Sequence, residues 1–166
     1  GLTLPTGIAI QDGDLYVGAV NKLLVYRDID QAFESSPEPF VLYDELPEET
    51  HHGWKYLGFS PEDNLFFNVG APCNVCETEN PWFATIMNLD LDREPLQPEI
   101  FTSGVRNTAG FTWHPGTGAT TILIDGWLKN NVAWGRPTDI LEMPDGSLLI
   151  ADDHANVIYR LTYETP

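Results

Sequence analysis

The chain has 166 residues with 42% apolar and 11% aromatic content, enough for one domain with a true core. That composition argues against disorder, and no apolar run is long enough for a membrane helix, so no membrane span is expected. Twenty-five acids against eight bases give a formal charge of −17. Nucleic acid and anionic membranes, whose phosphates require clustered Lys and Arg, are therefore poor partners. Any of the eight bases that gather in one place call for an explanation.

The predicted elements are short strands closed by turns. "GIAIQDGDLYVGAVNKLLVYR" reads as strand, Asp-Gly turn, strand, turn, strand. "DIDQAFES" offers one or two helical turns, and helical periodicity is otherwise nearly absent. "SSPEP", "DELPEET" and "DREPLQPE" read as surface connections rich in Pro and acids. "YLGFSPEDNLFFNVG" with "ATIMNLDLD" repeats the strand pattern. "GFTWHPGTGATTILID" begins it again, and "DILEMPDGSLLIADDHANVIYRLTY" completes it with three strands.

A sheet-sized unit recurring about every 40–50 residues is the mark of a β-propeller blade. The predicted fold class is therefore all-β, a propeller of antiparallel blades, with a β-sandwich as the structural competitor. One domain is expected over 1–166.

The repeat also places polar residues. His52 lies nine residues before Pro61, Arg106 nine before Pro115, and Arg136 eight before Pro144. Equivalent positions of a propeller face one another around its axis, so these three are expected at one mouth of the channel, with Lys55 further in. Such a cluster suits an anionic ligand. In "HHGWKYLGFSPEDNLFFNVGAPCNVCE" the histidines precede a hairpin and a Cys-x-x-Cys follows it. From the residues alone, His52 reads first as a loop histidine bonded to a neighbouring blade. Cys73 and Cys76 stay open between zinc, a redox dithiol and a disulfide, although no second Cys pair supplies further zinc ligands. Asp152 to His154 sit in a turn and read as structural. The tryptophans read as packing between blades, and Trp54 could also stack on a planar ligand.

The segments "DGDLYVGAVNKLLVYRDID", "HHGWKYLGFSPEDNLFFNVGAPCNVCE", "GVRNTAGFTWHPGTG" and "WGRPTDILEMPDGSLLIADDHANVIYRLTY" resemble the soluble PQQ-dependent aldose dehydrogenases, the glucose/sorbosone dehydrogenase family. The resemblance implies part of a six-bladed propeller, about four blades' worth of chain, with non-adjacent family blades joined near 119–122. It implies pyrroloquinoline quinone (PQQ) at the channel mouth, held by calcium, although the family segment that holds the calcium has no counterpart. An aldose would be oxidised at C1 to the lactone, and electrons would pass to an external acceptor. His52 matches the general base, with His51 its spectator. Arg106 and Asn107 match the quinone-contacting Arg-Asn pair, and Arg106 would steady negative charge on the quinone oxygens. Lys55 and Arg136 would pair with the quinone carboxylates, Lys55 standing where relatives usually carry Arg. The resemblance places Cys73 and Cys76 in a loop and implies a local disulfide, which suits a periplasmic or secreted protein. No signal peptide is legible in "GLTLPTGIAI".

Two alternatives stand beside this reading. One is a shortened, non-catalytic propeller used for binding or assembly, whose open blade edges would favour homo-oligomers. The other is a calcium-dependent propeller lactonase, which would need carboxylate ligands that the inner-strand starts do not offer.

Overall fold

A computed structural model describes residues 2–113, 127–130 and 132–162. The expected join near 119–122 and Pro115, one of the repeat's reference points, lie outside the described residues. The chain divides into two compact units, Gly1–Thr108 and Ala109–Pro166.

The first unit is two antiparallel four-stranded meanders. One comprises β1 (Gly7–Gln11), β2 (Asp14–Ala19), β3 (Lys22–Tyr26) and β4 (Phe40–Tyr43), in that spatial order. The other comprises β5 (Leu57–Phe59), β6 (Leu65–Val69), β7 (Thr85–Leu89) and β8 (Glu99–Ser103). The β1–β2 register pairs Gln11 with Asp14, leaving Asp12 and Gly13 as a two-residue loop. Both residues take positive φ, 51° and 85°. That is the tight hairpin turn whose twist matches its strands, and it accounts for the Asp-Gly signal. Helix among the described residues is confined to α1 (Ile29–Ala32), followed by a 3₁₀ turn.

The two sheets share one core. Tyr16, Leu23 and Val25 from the first meet Leu57, Leu65, Phe67, Val69, Met87 and Leu89 from the second. The Tyr16 and Phe59 rings meet edge to face at 5.0 Å. Removing each large apolar side chain from water is worth about 1.5–3 kcal/mol, so this row of alternate residues sets the sheet register. All five residues of β6 are buried, as suits a strand covered on both faces. The sheets approach closely where Gly18 faces Lys55: a Cβ on Gly18 would lie 2.7 Å from the Lys55 Cβ.

The outermost strands β4 and β8 are mostly exposed, and Ile8, Ile10, Phe40 and Val41 leave apolar surface on the first sheet. Two of the tryptophans depart from the expected packing role, while Trp82 packs against the core of the first unit. Trp54 and Trp134 are exposed, at 36% and 46%, because they lie in loops beside the strands rather than within them.

The second unit contains a short hairpin, β9 (Leu128–Lys129) with β10 (Val132–Ala133), and a three-stranded meander. The meander comprises β11 (Pro137–Glu142), β12 (Leu148–Asp152) and β13 (Val157–Leu161). Its Pro-Asp-Gly turn is closed by Met143 N–H donating to the Ser147 carbonyl at 2.8 Å, with Gly146 at φ 77°.

Candidate functional site

The segment from His51 to Tyr56 enters β5 without a ladder partner of its own, so side chains supply its hydrogen bonds. Asn68, fully buried in β6, accepts from Tyr56 N–H at 2.6 Å and donates to the Trp54 carbonyl at 3.1 Å. On the other side Thr6 Oγ1 accepts from Lys55 N–H at 2.9 Å and donates to the Lys55 carbonyl at 3.3 Å. These bonds fix where His52 leaves the chain.

His52 has left-handed backbone, φ 53°. A β-carbon on Gly70 would collide with the His52 carbonyl oxygen and lie 2.7 Å from the His52 Cβ. Glycine at 70 is thus a steric requirement of this corner. The His52 Nδ1 lies 2.9 Å from the Ala71 carbonyl oxygen. A carbonyl only accepts, so Nδ1 carries a proton, and Nε2 is the ring atom left for a lone pair.

The long β6–β7 connection supplies the rest. Ala71 N–H donates to the Arg106 carbonyl at 2.8 Å, which brings the expected base and the Arg-Asn pair onto either side of one residue. Cys73 and Cys76 are joined in a disulfide. Between them, Asn74 Oδ1 lies 3.3 Å from His51 Nε2, and the Asn74 carbonyl accepts from Arg106 Nη1 at 3.4 Å. The rings of His51 and His52 lie 4.1 Å apart, and the Trp54 ring stands edge-on to His52 at 6.0 Å. Trp54 Nε1 donates to the Thr108 carbonyl at 3.3 Å, while Thr108 Oγ1 is buried with no partner among the described residues. Asn107 is exposed.

Lys55 is 3% exposed, and its Nζ donates to the Gly53 carbonyl at 2.9 Å. Burial lowers its pKa from the ordinary 10.5 to about 8. No carboxylate among the described residues pairs with it.

Arg136 belongs to the second unit. Its guanidinium grips Asp153 with two bonds of 2.7 and 2.8 Å. Its own N–H donates to the buried Asp152 Oδ1, which also accepts from the N–H groups of His154 and Ala155. Burial pushes the Asp152 carboxyl up, but these donors outweigh it and hold the group below the usual carboxylate range. Asp152 and Asp153 therefore build the turn and its ion pair.

Sequence reasoning placed His52 and Arg106 but missed Asn68, Gly70 and Asn74. Asn68 had a legible signal, a lone amide inside the apolar run "LFFNV". The exposed Arg106 guanidinium and the partly exposed Trp54 ring suit an anionic, planar ligand. They do not suit calcium, which takes six or more oxygens, and the described residues include no group of three acids, histidines or cysteines placed for a metal.

No family model matches the chain, and no solved structure matches it. It is 28% identical over 125 residues to an uncharacterized protein of Borreliella burgdorferi, an alignment covering 69% of this chain. The chain spans 32% of that relative's length.

Proposed function

We propose that the two meanders of the first unit are blades of a shortened β-propeller whose corner at His52 and Arg106 oxidises an aldose at C1, with PQQ as the hydride acceptor. The observation that carries this reading is the contact of His52 Nδ1 with the Ala71 carbonyl. With Nδ1–H committed to the Ala71 carbonyl, Nε2 is the basic atom able to take the proton of a sugar hydroxyl. Arg106, exposed and held among the described residues by one long hydrogen bond, keeps donors for an anionic ligand. Trp54, partly exposed and edge-on to His52, offers a flat apolar surface. A bound quinone would supply the two-electron sink, and these residues would hold and orient it.

A second reading, a binding module without catalysis, is favoured by two engaged cations. The Lys55 ammonium is turned onto the Gly53 carbonyl, and the Arg136 guanidinium is satisfied by Asp153. Both were expected on quinone carboxylates.

Size-exclusion chromatography with added PQQ, with and without calcium, separates the readings. Quinone absorbance eluting with the protein, and dye-linked oxidation of an aldose, are the expected results. A protein that elutes free of quinone and oxidises no aldose belongs to the second reading.

A further inference from the structure

Asn74 contacts two residues of the corner, His51 and Arg106. Its carboxamide oxygen faces His51 Nε2 at 3.3 Å, and its carbonyl accepts from Arg106 Nη1 at 3.4 Å. It sits inside the smallest ring the chain closes, between Cys73 and Cys76 of the disulfide. Both contacts are long, so neither would hold its partner if Asn74 could wander. The loop has no ladder to steady it: residues 70–84 join β6 to β7 without a strand, and Asn74, Val75 and Cys76 are exposed. A side chain on an unpaired, exposed loop ordinarily samples many positions. A covalent ring around Asn74 removes that freedom where the loop meets the site.

We propose that Asn74 is a positioning residue of this corner, orienting His51 through its side chain and Arg106 through its backbone carbonyl, with the Cys73–Cys76 disulfide holding Asn74 in place. The loop is thus more than a brace for the hairpin: it sets the reach of the Arg106 guanidinium and places His51 against the His52 ring. The proposal rests on the reading that this corner binds a ligand. It also makes the corner sensitive to reduction. Two electrons and two protons from a dithiol would open the disulfide to two thiols and release both contacts together.

The two arms of Asn74 separate in a labelling experiment that needs no quinone. Arg106 is labelled with phenylglyoxal and His51 with diethyl pyrocarbonate. Peptide mass spectrometry then reads their rates against the exposed Arg93 and His154 of the same molecule. Asn74→Ala should speed His51 labelling about three- to tenfold, the factor one hydrogen bond is worth, and leave Arg106 unchanged because the carbonyl remains. Asn74→Asp, which keeps an acceptor oxygen, should restore the His51 rate. Opening the disulfide with dithiothreitol should speed both. If reduction abolishes the strand signal in circular dichroism, Asn74→Ala and Asn74→Asp, which keep the disulfide, decide alone. Unchanged His51 labelling in Asn74→Ala, or unchanged Arg106 labelling in reduced protein that keeps its strands, overturns the proposal. Quinone co-elution is read separately, so the two readings fail by different observations.

Discussion

Ala71 is shared between His52 and Arg106: its carbonyl receives the His52 Nδ1–H at 2.9 Å while its own N–H donates to the Arg106 carbonyl at 2.8 Å. One residue thus ties the His52 side chain to the Arg106 backbone, 54 residues away in sequence. The arrangement depends on close approach, since His52 takes a left-handed φ of 53° directly against Gly70. A non-glycine residue in that region stores of order 1–3 kcal/mol, which the surrounding bonds must offset.

Gly70→Ala tests that closeness. The added methyl collides with the His52 carbonyl, which is backbone and cannot swing aside. The variant should lose about 1–3 kcal/mol of stability, the usual cost of overpacking. Urea unfolding measures the loss, and an unchanged midpoint would show that the two segments lie further apart than described.

Asn68 should be costlier to replace than its neighbours. Asn68→Leu keeps the branched shape but removes the acceptor for the Tyr56 N–H and the donor to the Trp54 carbonyl. Each part-buried group that loses its partner costs up to about 1–3 kcal/mol, so a loss of roughly 2–6 kcal/mol is expected. Amide exchange at Tyr56 should accelerate in step. A neutral Leu would mean that water replaces the amide and that the segment is not held from β6.

Lys55 makes stability depend on alkaline pH. Its folded pKa of about 8 lies below the unfolded 10.5, so between these values the unfolded chain binds more protons. The sign follows: below pH 8 the buried cation destabilises the fold in full, and stability rises with pH from about 8 to 10.5. The whole contribution is on the order of 3 kcal/mol. Lys55→Met should remove that rise and stabilise the protein near neutrality. Parallel denaturant series at pH 7 and 10 check it, and equal slopes for both proteins would place the ammonium in water.

Much of the strand pattern was legible because it is local. "QDGD" specifies its hairpin through two positive-φ residues, and the alternation in "ATIMNLD" reports which face of β7 is buried. The outer strands β4 and β8 escaped notice because their exposure pattern does not alternate, and they lie beside the Pro-rich connections. In the site, His52 and Arg106 stood out by chemical type. Asn74 and Gly70 did not, since what each does depends on a partner 23 or 18 residues away that no periodicity announces. Lys55 shows the opposite failure. Its charge suggested an anion contact, and its position between two sheets buried it.

His52→Ala and Arg106→Ala should fail differently if the corner oxidises sugars. The first removes the basic Nε2 and leaves the Arg106 guanidinium and the Trp54 face in place. Quinone co-elution should therefore survive while dye-linked aldose oxidation falls by about 10²-fold or more, the scale of a lost general base. The second removes a charge partner of the ligand itself, so both quinone retention and turnover should fall. His52→Gln adds a control, because its amide can still donate to the Ala71 carbonyl and hold the backbone without offering a base. It should bind quinone like the parent and turn over like His52→Ala. If His52→Gln retains full turnover, the proton goes elsewhere and His52 is only the peg that seats residue 71. If all three variants bind quinone as the parent does, the anionic ligand does not sit at this corner, and Arg106 serves only to tie its loop to Asn74.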